Sequence, residues 1–261
     1  MMTTASMILE TGEADEFDPF GGGQIERIVP TTEPQREVWL GDQLSTEASL
    51  AYNESMVLRL QGALDVGALS VAIDRLVQRH ESLRATFSAD GTQFLIGEAP
   101  AAVLTQHDLS TLEPANAQRA LAEACVAAVR HRFALDQGPL FRAALYTLAP
   151  TAHELLLTAH HAVCDGWSWG VISEELPQLY AEQLGMGPAL APAGRYSDYA
   201  AWEVAEAASP ALQGHVDYWP ANCRWTDRAR RRALKVRTAG RGRSSGSSST
   251  GRFWPANCAS Q

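Results

Sequence analysis

Lysine is almost absent from this sequence: Lys235 is its single example in 261 residues, against 20 arginines, a bias typical of GC-rich coding sequence. Basic residues of either kind are scarce up to residue 220, where eleven arginines face 29 acids for a net charge of about −18. That stretch offers no basic face to grip a nucleic acid. Cysteine is equally thin. Cys125, Cys164, Cys223 and Cys258 show no paired metal-ligand spacing and are too few for a disulfide framework, which fits a reducing cytoplasm. No apolar run in residues 1–27 is long enough for a signal peptide or a membrane span. What remains, 46% hydrophobic and 20% charged, is ordinary globular material with room for one sizeable domain or two small ones.

The densest concentration of chemistry is residues 160–170, HHAVCDGWSWG. His160 and His161 stand together, Asp165 and Gly166 follow, and Trp167 and Trp169 close the run. The preceding HELLLT, residues 153–158, suits a strand buried in a core, and Val171, Ile172, Leu176, Leu179 and Tyr180 then fall at helical spacing. The histidines are thus expected where a strand gives way to a loop, a position from which a rigid element aims side chains into a cleft.

Three chemistries compete for this run. His161 can act as a general base, because imidazole exchanges a proton near neutral pH unaided, with Asp165 holding the loop or fixing a ring tautomer. Alternatively His160, His161 and Asp165 ligate a metal, which requires the backbone to bend, since adjacent strand residues point to opposite faces. A nucleophilic Cys164 is the third, against the ordinary fate of a small buried cysteine. Histidines satisfied inside a core are the plain alternative, weakened by two His, an Asp and a Gly within seven residues.

Elsewhere the pattern alternates between strand and helix. Residues 1–27 are acidic, carry glycines at 21–23, and read as a flexible linker. Thr32 is placed to cap a helix through Val38, Trp39 and Leu40. Met56, Leu58 and Leu60 alternate as in a strand, and Leu69, Ala72, Ile73, Leu76 and Val77 line one helical face behind an Asp65 cap. Asp90–Gly91 signals a hairpin. Leu121, Ala124, Cys125, Ala128 and Val129 form a stripe on a helix expected to be buried, and YSDYAAW at 196–202 opens another helix. The expected class is α/β in the broad sense, a layered sheet covered by helices.

Beyond residue 220 the composition inverts. Residues 221–261 hold ten basic residues against Asp227 alone, a net charge of +9, and SSGSSSTG is linker-like. WPANC at 219–223 and 254–258 is too short to be a structural repeat. RARRRALKVR as a nucleic-acid arm has no support upstream, and residues 220–261 are expected to be a disordered tail of a truncated or frameshifted reading frame.

HHAVCDG resembles the HHxxxDG signature of non-ribosomal peptide synthetase condensation domains, whose superfamily includes chloramphenicol acetyltransferase. RHESLRATF at 79–87, VPTTEPQREVW, FALDQGPLFRAALYTL and YSDYAAW resemble the family's other elements in the family's order. The resemblance covers residues 28–219 and implies the N-terminal lobe of a pseudo-dimeric domain with a chloramphenicol-acetyltransferase-like fold, lacking its second lobe. It implies peptide-bond formation between carrier-tethered acyl or peptidyl and aminoacyl thioesters, His161 acting on the amine. His160 would be structural, Gly166 would admit the substrate arm, and Asp165 would order the loop through an ion pair with Arg84. It further implies no metal and no intrinsic cofactor. Substrates would arrive on phosphopantetheine arms of donor and acceptor carrier domains, beside adenylation or polyketide synthase modules, with no nucleic-acid or membrane partner. Alone, the chain is expected to be inactive. A non-catalytic carrier-docking remnant, or an acyltransferase completed by oligomerisation, are the other readings.

Overall fold

The computed structural model describes residues 24–100, 102–207 and Ser209. The chain divides into two units, Met1–Ala207 and Ala208–Gln261. The acidic stretch before residue 24, the basic tail and both WPANC segments lie outside the described residues.

The described residues of the first unit form two sheets rather than one. Strands β2 (Asn53–Gln61), β7 (Ala152–His160), β6 (Phe141–Ala149) and β5 (Leu104–Asp108) form a four-stranded sheet in that spatial order. All its pairs are antiparallel except the parallel β5–β6. Strands β1 (Ile25–Pro30), β4 (Gln93–Gly97) and β3 (Ala85–Phe87) form an antiparallel three-stranded sheet, β4 in the middle. The Asp90–Gly91 hairpin joins β3 to β4 as the sequence suggested. Gly91 has φ +68°, and a Cβ there would collide with the Trp39 ring, so both backbone and space require glycine.

Helix α3 (Val66–Arg79) shows how periodicity becomes packing. Asp65 caps it by accepting from the Ala68 N–H at 2.9 Å, and the expected face, Leu69, Ala72, Ile73, Leu76 and Val77, is buried. It packs with α5 (Gly166–Gln183) on one face of the four-stranded sheet, where Ile172, Leu176 and Leu179 meet Leu155, Leu157 and Ala159 of β7. Phe87, Phe94 and Ile96 of the smaller sheet extend this core. Each fully buried Leu, Ile or Phe contributes about 1.5–3 kcal/mol by leaving water.

Helix α4 (Pro114–Val129) covers the other face and is less buried than its apolar stripe implied. Ala117 and Leu121 are buried, whereas Val126 and Val129 are 49% and 42% exposed. Its cluster is small, Leu121 on Tyr146 and Leu156, so the outer turns of the helix remain in solvent. The linker boundary at residue 27 is also corrected: β1 begins at Ile25 and pairs with β4 through its backbone. Ile25 and Ile28 stay exposed, so side-chain pattern gave no sign of this edge strand. Helices α1 (Glu33–Asp42), α2 (Thr46–Leu50) and α6 (Tyr196–Ala207) are the other α-helices among the described residues. No described helix is long and apolar enough to cross a membrane.

Candidate active site

Strand β7 is central in its sheet and ends on His160, so the HHAVCDG run leaves the sheet where expected and enters α5 at Gly166. Backbone pairing continues past the strand end. The His160 N–H donates to the Leu140 carbonyl at 3.0 Å and the His161 N–H to the Tyr52 carbonyl at 2.8 Å. Two strands thus fix the direction in which each ring departs.

His160 turns inward and is fully buried. Its Nδ1 accepts from the Ala162 N–H at 3.2 Å, its Nε2 lies 3.4 Å from Asp42 Oδ1, and Phe133 and Tyr52 contact the ring. Burial lowers its pKa below the usual imidazole value, opposed by the Asp42 carboxylate. Asp42 is itself buried at the end of α1. From the same helix Gln35 accepts from the Thr32 N–H and donates from Nε2 to the Ala162 carbonyl at 3.2 Å, tying α1 to the loop.

His161 turns the other way, its side chain 39% exposed. Its Nδ1 is buried and sits 2.7 Å from Glu54 Oε1, an ion-pair distance in which the ring is not aligned for a linear hydrogen bond. Glu54 Oε2 accepts from the Trp169 indole N–H at 2.6 Å. The two rings therefore do not converge, and among the described residues no group of three metal-binding side chains gathers.

Asp165 caps α5. Its Oδ1 accepts from the Ser168 N–H at 2.8 Å and from Ser168 Oγ at 2.7 Å, and these bonds lower its pKa below the ordinary carboxylate value. Gly166 opens the helix with free space where a Cβ would stand. Trp167 is 84% exposed. Cys164 is buried, and burial pushes its thiol up to about 12, which leaves no thiolate for the nucleophile reading.

The expected Arg84–Asp165 ion pair is not formed. Arg84 closes the short 3-10 turn Glu81–Arg84, and its buried guanidinium pairs with Glu26 Oε2 of β1 at 2.8 Å and donates to the Gly97 carbonyl of β4. It serves the three-stranded sheet, and Asp165 is satisfied by its own helix. Asp42, Gln35 and Glu54 enter the site without having been singled out as its members. Each residue lies more than a hundred positions upstream of the motif, with no local spacing to mark it.

A cavity of about 590 Å³ opens elsewhere, between α4 and strands β5–β7, lined among others by His107, His131, Arg142 and Tyr146. None of residues 160–170 lines it, so it does not define this site.

Comparison with known proteins decides the family. The model for condensation domains matches residues 25–229, extending past both expected limits, 28 and 219. The chain belongs to the condensation-domain family. It is 37% identical over 197 residues to chondramide synthase cmdD of Chondromyces crocatus, covering 74% of this chain and 5% of that synthase. It is 37% identical over 179 residues to the dimodular nonribosomal peptide synthase of Bacillus subtilis, covering 67% of this chain and 7% of that synthase. The starter condensation domain of rhizomide synthetase shares its fold with a TM-score of 0.68 at 24% identity, across 77% of this chain and 49% of that one. The chain thus spans a few per cent of these synthetases and about half of a solved condensation domain. The mixed α/β, chloramphenicol-acetyltransferase-like architecture expected from the sequence is the one observed.

Proposed function

We propose that this chain supplies the histidine-bearing lobe of a condensation site that joins an acyl or peptidyl thioester to an aminoacyl thioester. The observation that carries the reading is the opposed placement of the two motif histidines. His160 is spent on packing against Asp42, while His161 is held at the edge of the loop with part of its ring open. In the reaction the acceptor amine nitrogen bonds to the donor thioester carbon. The carbon–sulfur bond breaks, and the proton released by the amine passes through His161 to the departing sulfur. His161 also steadies the charge of the tetrahedral intermediate. Gly166, beside open space, leaves room for a phosphopantetheine arm, and Asp165 holds the loop by capping α5.

Donor and acceptor carrier domains, beside adenylation or polyketide synthase modules in the cytoplasm, are the partners this reading requires, and a second lobe closes the tunnel over the histidine. Joined to such a lobe and given loaded donor and acceptor carriers, the chain should form the elongated thioester. His161→Ala should slow product formation about 10²- to 10⁴-fold with the fold retained. A His161→Ala rate close to the parent's would overturn the assignment.

A further inference from the structure

We propose that Glu54 is a positioning residue that fixes the tautomer of His161, with Trp169 locking Glu54 in turn. The inference rests on His161 being the working histidine of the site. Nδ1 and Glu54 Oε1 stand 2.7 Å apart, and Nδ1 is shielded from water. Although the contact is not linear, at that separation a bare ring nitrogen would set its negative partial charge against the carboxylate, so the charge of Glu54 favours the proton on Nδ1. The neutral ring then holds its free lone pair on Nε2, the nitrogen left to take a proton from substrate. Of the other carboxylates close to the motif, Asp42 faces His160 on the inner side, and Asp165 has its Oδ1 engaged by Ser168. Glu54 is the carboxylate at 2.7 Å from Nδ1, and orientation of the ring is assigned to it.

The carboxylate is itself held. Trp169 Nε1 donates to Oε2 at 2.6 Å from the first turn of α5, while the backbone of β2 is locked to β7 through the whole strand. Glu54 thus bridges the sheet, the helix and the catalytic ring. The bridge makes an unusual demand on substitution. With Trp169 occupying one oxygen, glutamine at position 54 must give its carbonyl to the indole and turn its amide NH₂ toward Nδ1. That group is a donor, so the ring must answer with a bare Nδ1 and a protonated Nε2.

The test uses the full chain labelled with ¹⁵N-histidine, its seven histidines resolved by long-range ¹H–¹⁵N spectra and the His161 signal assigned by its loss in His161→Gln. At a pH where the ring is neutral, the parent should show a protonated Nδ1 and a bare Nε2. Glu54→Gln, nearly isosteric, should reverse the ratio of the two tautomers about tenfold or more, because a negative charge beside Nδ1 is replaced by a donor. Glu54→Gln combined with Trp169→Phe frees the amide to turn its oxygen to Nδ1 and should restore much of the original tautomer. Trp169→Phe alone should keep Nδ1 protonated. A bare Nδ1 in the parent, or a Glu54→Gln ring indistinguishable from it, would overturn the proposal. These spectra require no condensation activity, so they fail or succeed independently of the function proposed for the domain.

Discussion

Beneath the 160–166 loop, His160, Ala162 and Cys164 are closed in by α1 and the core, whereas above it His161, Asp165 and Gly166 keep access to solvent. The same seven-residue run thus has a face that belongs to the fold and a face that belongs to the site. On the inner face the polar groups turn to other elements: Gln35 Nε2 donates to the Ala162 carbonyl, and Asp42 Oδ1 lies 3.4 Å from His160 Nε2 without closing a hydrogen bond. On the outer face contacts are fewer, and those present, Glu54 to His161 and Ser168 to Asp165, hold direction rather than fill space. Substitutions on the two faces should therefore separate stability from activity.

The largest effect belongs to the inner face. His160→Ala opens a cavity beside Phe133 and takes the ring away from Asp42 Oδ1, while Gln43 still donates to Oδ2, and should cost about 3 kcal/mol. His161→Ala, one residue on, should stay within about 0.5 kcal/mol of the parent in the same urea titration. Equal losses at both positions would erase the distinction between the faces.

Next comes Arg84, which lies on neither face. Its guanidinium is 6% exposed against Glu26 at 39%, so the pair is partly screened. In double-mutant cycles Arg84→Gln and Glu26→Gln should couple by about 1 kcal/mol, while Arg84→Gln and Asp165→Asn should add within about 0.5 kcal/mol. Coupling to Asp165 instead would restore the pairing expected from family resemblance.

On the outer face, Asp165→Ala removes a helix cap and should cost about 1 kcal/mol near neutral pH. Because the Asp165 pKa is lowered in the folded state, its contribution is present above the unfolded value and is lost as pH falls through the folded one. The difference between parent and Asp165→Ala should therefore shrink below about pH 4. A difference that persists at lower pH would mean that the charge of the cap is not what matters.

Gly166→Ala should have the smallest effect on stability. Its Cβ would meet nothing, and in the first turn of α5 the change is neutral or slightly stabilising, by a few tenths of a kcal/mol at most. If condensation nonetheless falls in the completed domain, the open space above Gly166 is where the substrate arm passes. An unimpaired rate would remove Gly166 from the site.

Much of the inner face was legible in the sequence. The HELLLT run, the α3 stripe and the Asp65 cap follow from periodicity and capping, because each is decided within one element. The outer face was legible only in part. His161 and Asp165 announce themselves by density of chemistry, but Glu54 is an alternating residue at the start of a strand, where a carboxylate ordinarily faces water. What brings it to His161 is the pairing of β2 with β7, Asn53 opposite His160, a register that no local pattern specifies. Arg84 failed for a related reason. Its partner Glu26 lies on β1, an edge strand hidden within an acidic segment, and two sheets rather than one separate Arg84 from Asp165.

The opposed environments of two adjacent histidines are open to direct measurement. Brief carbethoxylation of the folded chain, followed by tandem mass spectrometry, reads each imidazole by its access to reagent. The account expects His161 to be modified and His160 to remain unmodified until urea unfolds the chain, after which both react. Equal modification of the two in the native state, or earlier reaction at His160, would contradict the division of the motif into a residue of the fold and a residue of the site.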